Sequence, residues 1–150
     1  MVTVENISDY LLENFEGLRP KQSWGETSFF YNPDGSSPHG TYFFTIKEKN
    51  GDNDKASDLD RTGIYRLNFG ISKNSFLSLF PEVPSRPAKG KIIVGNYDFT
   101  ATNVLTPHPI YGWMPWLAIL SPDEEQLERI KPFIQESYEL AVAKFNKKKR

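Results

Sequence analysis

The chain has 150 residues, 38 % of them apolar and 14 % aromatic, with 18 Lys and Arg against 19 Asp and Glu for a net charge of −1. That length suits one domain and buries roughly 68–70 % of the unfolded chain's surface, enough for a core without staples. The lack of cysteine excludes disulfides, thiol catalysis and cysteine-ligated metal, and the balanced charge gives no overall basic footprint for nucleic acid.

The opening MVTVENISDY lacks the basic-then-apolar pattern of a signal peptide. No apolar run approaches the roughly 20 residues that span a bilayer. A cytoplasmic location without membrane attachment is therefore expected. No repeat and no Pro/Gly linker divides the chain, so one domain over residues 1–150 is expected. The basic run Lys147–Arg150 reads as a solvated, frayed tail.

Val4, Ile7, Leu11, Leu12 and Phe15 recur at helical spacing and predict a helix over about Val4 to Glu16. Thr3 suits its N-cap and Gly17 its end. Two strands are expected next, Thr27–Tyr31 and Tyr42–Lys47, joined as a hairpin by the turn-rich NPDGSSPHG. Simple alternation sets Tyr42, Phe44 and Ile46 on one face and Phe43, Thr45 and Lys47 on the other. Asn50–Asp60 is polar and acidic and reads as an exposed loop.

The clearest period-2 pattern runs over Gly63–Ile71. Tyr65, Leu67, Phe69 and Ile71 alternate with Arg66, Asn68 and Gly70. Ser72 then caps a short helix with Phe76, Leu77 and Phe80, which Pro81 stops. Glu82–Gly90 reads as loop, and Lys91–Val94 and Tyr97–Ala101 as weak strands. Trp116–Leu120 is a strand apolar on both faces, which leaves a sandwiched strand or a homodimer contact open. Ser121-Pro122-Asp123-Glu124 reads as a capping box. Leu127, Ile130, Ile134, Tyr138, Ala141, Val142 and Phe145 hold one helical phase beyond it. Pro132 predicts a kink or two abutting helices. The order implies an α+β fold: an antiparallel sheet packed on N- and C-terminal helices in two layers.

Four strings resemble a family of uncharacterised bacterial proteins, a domain of unknown function. They are FFYNP (Phe29–Pro33), SDLDRTGIYRLNFGIS (Ser57–Ser72), FLSLFP (Phe76–Pro81) and YDFTATNVLTPHPIYGWMPWLAILSP (Tyr97–Pro122). The ending, PHPIYGWMPWLAIL followed by SYELAVAKF, is distantly similar to MmcQ/YjbR-like proteins. That likeness implies a curved antiparallel sheet on helices and carries a DNA-binding label. It implies no activity, since fold does not fix function.

Two groups of residues have chemistry to offer. Arg66 and Asn68, with Arg61 nearby, form a planar guanidinium-and-amide set suited to a carboxylate or other anion. The alternative is a structural ion pair, with Asp60 or Asp98 holding Arg66. The second group is the proline-stiffened loop Pro107–Trp116, which presents His108, Tyr111 and Trp113. His108 suits acid–base work near neutral pH. The alternative is a ring bonded to backbone beside core aromatics. His39 sits in a turn and reads as solvated. No metal motif, phosphate loop or nucleophile elbow is present, so no cofactor is implied.

Three functions compete. A binding module for a small anionic ligand or a protein partner would use Arg61, Arg66, Asn68, His108, Tyr111 and Trp113. An enzyme would use His108 with an arginine clamp, but lacks a paired nucleophile. Weak nucleic-acid binding has the net charge against it.

Overall fold

The computed structural model describes residues 1–148. It is an α+β fold with six strands in one open antiparallel sheet, ordered β1-β2-β3-β4-β6-β5, and three helices.

Helix α1 (Val4–Asn14) starts on a reciprocal cap. The Thr3 hydroxyl accepts from the Asn6 amide at 3.1 Å, and the Asn6 side chain accepts from the Thr3 amide at 2.9 Å. Ile7, Leu11 and the following Phe15 are buried. Strand β1 (Leu18–Ser23) is an edge strand that the pattern does not predict. Its LRPKQS has no apolar alternation, and Pro20 is tolerated because one side of an edge strand needs no partner. A two-residue turn, Trp24-Gly25, links it to β2 (Glu26–Tyr31). Both turn residues have positive φ, 52° and 76°, the twist that joins paired strands tightly.

Strand β3 (Thr41–Lys47) pairs with β2, and the register slips between Phe29 and Phe30. Phe29 faces Phe44, but Phe30 faces Tyr42, so Phe43 is an extra residue. This bulge corrects the simple alternation. Phe43 and Phe44 are both buried in the core, and Tyr42 joins Thr45 and Lys47 on the opposite face.

Strand β4 (Arg66–Gly70) is shorter than its pattern. Helix α2 (Lys73–Leu79) is capped by Ser72, and Glu136 accepts from the Ser72 amide and the Ser75 hydroxyl. The expected strands at 91–94 and 97–101 do not form, and that stretch is irregular. Strand β5 (Leu105–Pro107) forms instead, on the far edge. Three residues are too few to show a period. Strand β6 (Trp116–Leu120) lies between β4 and β5.

Helix α3 (Glu124–Lys148) runs unbroken through Pro132, so the two-helix alternative is corrected. Proline removes one backbone hydrogen bond there, but Ile130 and Ile134 on either side stay buried in the same core. Its cap is Asp123, whose carboxylate accepts from the Gln126 amide at 2.8 Å. Ser121 instead accepts from the Tyr65 amide, across the sheet. Lys147 and Lys148 continue the helix, where cations complement its C-terminal dipole. Lys149 and Arg150 of the expected tail lie outside the described residues.

One apolar cluster unites the three helices with one sheet face: Ile7 and Leu11, Phe76, Ile130 and Ile134 meet Phe44, Ile46, Leu67, Phe69, Leu117 and Ile119. The other face carries Lys47, Thr45, Arg66 and Asn68, and the connecting loops roof it. No helix among the described residues is long and apolar enough to cross a membrane.

Candidate functional site

The functional question lies on the roofed face. Lys47 sits directly opposite Arg66, and Thr45 opposite Asn68. Two cations facing one way on neighbouring strands repel, and Arg66 is fully buried. A buried guanidinium needs a counter-charge. The Asn50–Asp60 segment supplies it, which corrects its reading as a solvated loop. Ser57 and Leu59 are buried, and Asp54 folds onto the sheet.

Arg66 and Asp54 form a two-pronged pair. Nη1 donates to one Asp54 oxygen at 3.0 Å and to the Ser57 hydroxyl at 3.0 Å. Nη2 donates to the other Asp54 oxygen. Nε donates to Asn68 Oδ1 at 2.6 Å. The Asn68 amide nitrogen then donates to Thr45 Oγ1 at 3.0 Å. Burial alone would raise the Asp54 pKa, but the hydrogen bond and charge of Arg66 outweigh it and hold the carboxyl below its ordinary value. The guanidinium is therefore a strut behind the face rather than a free anion clamp. Its carboxylate partner is Asp54, not Asp60 or Asp98.

His108 completes the network. Its Nδ1 accepts from the Ile110 and Tyr111 amides, each at 3.1 Å. The close turn behind it depends on Gly112, where a Cβ would come within 2.8 Å of the His108 carbonyl oxygen. Because Nδ1 accepts, the neutral ring carries its hydrogen on Nε2. Yet Nε2 lies 3.3 Å from Arg66 Nη2, itself only a donor. Burial, then the Arg66 charge, push the imidazole pKa well below its ordinary value. His108 is a buried, neutral donor without an acceptor in that contact.

A cavity of about 550 Å³ opens over this network. Its polar wall has Thr45, Lys47, Asp54, Asn68 and His108, and its apolar wall has Ile110, Tyr111, Met114 and Trp116, with Tyr42 at the side. Lys47 is only 9 % exposed. Its ammonium makes no ion pair and no side-chain hydrogen bond among the described residues. Glu26, across from it on β2, and Lys91 also line the cavity. With Asp54 neutralised by Arg66, the cations around the cavity are in excess. Among the described residues no group of three or more His, Asp or Glu could hold a metal ion.

The six residues singled out in the sequence thus divide. Asn68, His108 and Tyr111 line the cavity, and Arg66 braces it from behind. Arg61 is elsewhere: it donates to the Asp58, Ser57 and Thr100 carbonyls and clips two loops together. Trp113 stacks under the Arg86 guanidinium at 4.7 Å, outside the cavity. Pattern reading misses Lys47, Thr45, Asp54 and Trp116. The opposed cations on β3 and β4 are the signal for Asp54, but they become visible only with the register in hand.

No curated protein and no solved structure matches the chain, and the MmcQ/YjbR likeness therefore carries no part of the argument. A family model described as a family of unknown function, DUF6194, matches residues 2–150, and the chain belongs to that family.

Proposed function

We propose that this protein binds a small carboxylate with a flat apolar body in the roofed cavity of its sheet. One observation carries the reading: Lys47, only 9 % exposed as a residue, lines the cavity without an ion-pair partner among the described residues. A ligand carboxylate would give its ammonium a charge-assisted hydrogen-bond partner inside the cavity. His108 adds a second polar group to the cavity wall. The rings of Tyr42, Tyr111 and Trp116 suit a planar apolar body. The volume falls within the roughly 300–1,000 Å³ usual for small-molecule sites.

His108 as an acid–base residue is a second reading, favoured by its position in the cavity wall. Burial and the neighbouring Arg66 charge oppose the imidazolium such a step requires. An orienting donor fits this environment better.

A panel of aliphatic and aromatic carboxylates, followed by Trp116 fluorescence and melting temperature, tests the proposal. A bound aromatic carboxylate quenches Trp116 and raises the melting temperature, by an amount set by mass action. Lys47→Met weakens it about 10- to 100-fold, from the roughly 1.5–3 kcal/mol of a hydrogen bond to a charged group. Equal binding by wild type and Lys47→Met, or no carboxylate bound at millimolar concentration, rejects the reading.

A further inference from the structure

A second cavity, of about 410 Å³, lies on the same sheet face beside the first, and Tyr42 lines both. Its chemistry differs. Lys21 from β1 and Lys144 and Lys148 from α3 surround it, with His39 from the β2–β3 loop. No carboxylate lines it, and none of the three lysines enters an ion pair among the described residues. The floor is aromatic. Phe30 packs on Tyr42 with ring centroids 4.5 Å apart and on His39 at 6.3 Å. The Ser23 and Ser28 hydroxyls also line it.

Three unpaired ammonium groups around one hollow repel one another, and an anion of charge two relieves that repulsion better than a carboxylate. Lysine is a point-charge phosphate binder. The hollow exceeds the volume of a bare phosphate, and the room left over lies against rings. We infer that this second cavity is a site for a small phosphate monoester, its phosphate held by Lys21, Lys144 and Lys148 and its organic group on Phe30 and Tyr42. Its cations are different residues from those of the carboxylate cavity, although Tyr42 borders both. The chain's net charge of −1 gives no general attraction for polyanions. A long nucleic-acid backbone would need a continuous basic track.

Calorimetry on the full chain with phenyl phosphate, inorganic phosphate and phenol tests this. Phenyl phosphate is expected to bind more tightly than inorganic phosphate, and phenol not at all. Added salt weakens the binding, because the lysines are exposed. The double variant Lys21→Gln/Lys144→Gln changes only exposed side chains and lowers phenyl phosphate affinity about tenfold or more. Lys73→Gln/Lys89→Gln, an equal change of charge away from the cavity, leaves it unchanged. Three outcomes overturn the site. One is phenyl phosphate binding that survives the Lys21/Lys144 change. Another is loss of that binding in Lys47→Met, which moves the phosphate to the neighbouring cavity. The third is a single-stranded oligonucleotide that displaces phenyl phosphate and binds more tightly than it does.

Discussion

The two faces of this sheet both bury their central side chains and follow opposite rules. Under the helices, Phe44 stacks on Phe69 at 5.3 Å, and Leu67, Leu117 and Ile119 fill the space around them. Such contacts are non-directional, so their contribution is spread over many side chains. Under the loops, Arg66, Asn68 and His108 are also buried, but Arg66 and Asn68 are held by named side-chain partners and His108 accepts two backbone amides at Nδ1. Stability there depends on a few specific partners, so removing one strands its neighbours. A face built this way is rigid and polar, and it supports a cavity that an apolar face would close.

The largest effect expected from that contrast is at Asp54. Asp54→Ala leaves the Arg66 guanidinium buried without a counter-charge and costs about 3–5 kcal/mol in urea unfolding. The double variant Asp54→Leu/Arg66→Met removes both charges and recovers much of the loss, because a well-packed apolar pair replaces an ion pair at little net cost. A cost for Asp54→Ala below about 1 kcal/mol, the worth of an exposed pair, would mean the guanidinium is solvated and would remove the contrast. The neighbouring Leu67→Ala, on the helix face of the same strand, costs about 2–5 kcal/mol. No single partner change restores it, since its contacts are shared among many neighbours.

Acid separates the faces next. His108 is held neutral at pH values where the unfolded chain's imidazole binds a proton. Unfolding therefore takes up a proton once pH falls below the ordinary histidine value of 6.5. Stability then declines with falling pH by up to about 1.4 kcal/mol per unit until the folded ring itself titrates. Asp54 acts in the same direction but lower. Its folded pKa lies below the unfolded value, so its contribution is full above roughly pH 4 and disappears as pH drops through the folded pKa. His108→Gln is expected to flatten the arm between neutral pH and pH 5 while leaving the more acid arm. An unchanged arm in that variant would assign the proton elsewhere. Leu67→Ala, which removes no ionisable group, is expected to shift the whole curve without changing its shape.

The helix face was largely legible from pattern. Tyr65, Leu67 and Phe69 alternate, Ile130 and Ile134 keep helical phase, and both periodicities record burial on one side. The polar face was half legible. Alternation sends Arg66 and Asn68 to the side away from the helices, which is where they lie. Alternation cannot say that loops roof that side, because the roof is made by residues such as Asp54, twelve positions away in an irregular segment with no period. Lys47 and Tyr42 share the cavity only because of the extra residue at Phe43, and a bulge leaves no mark in hydropathy. β1 was missed because its single inward apolar residue, Leu18, cannot establish a period. His108 was recognisable as a special residue, but its role depends on which atoms face each nitrogen, and that is geometry alone.

Arg61 provides the finest test, because it is the same residue type in the same roof as Arg66 with different burial. Its side chain is 38 % exposed, against 0 % for Arg66. Its three hydrogen bonds go to carbonyl oxygens that water can reach once the side chain is gone, and its pairing with Asp58 is a loose 3.7 Å. Arg61→Ala is therefore expected to cost about 1 kcal/mol, against about 3–5 kcal/mol for breaking the Arg66–Asp54 pair. It should also leave carboxylate binding intact, since Arg61 does not line the cavity. If Arg61→Ala lowered stability as far as Asp54→Ala, the roof would be held at its rim rather than by the buried pair, and the strut role given to Arg66 would pass to Arg61.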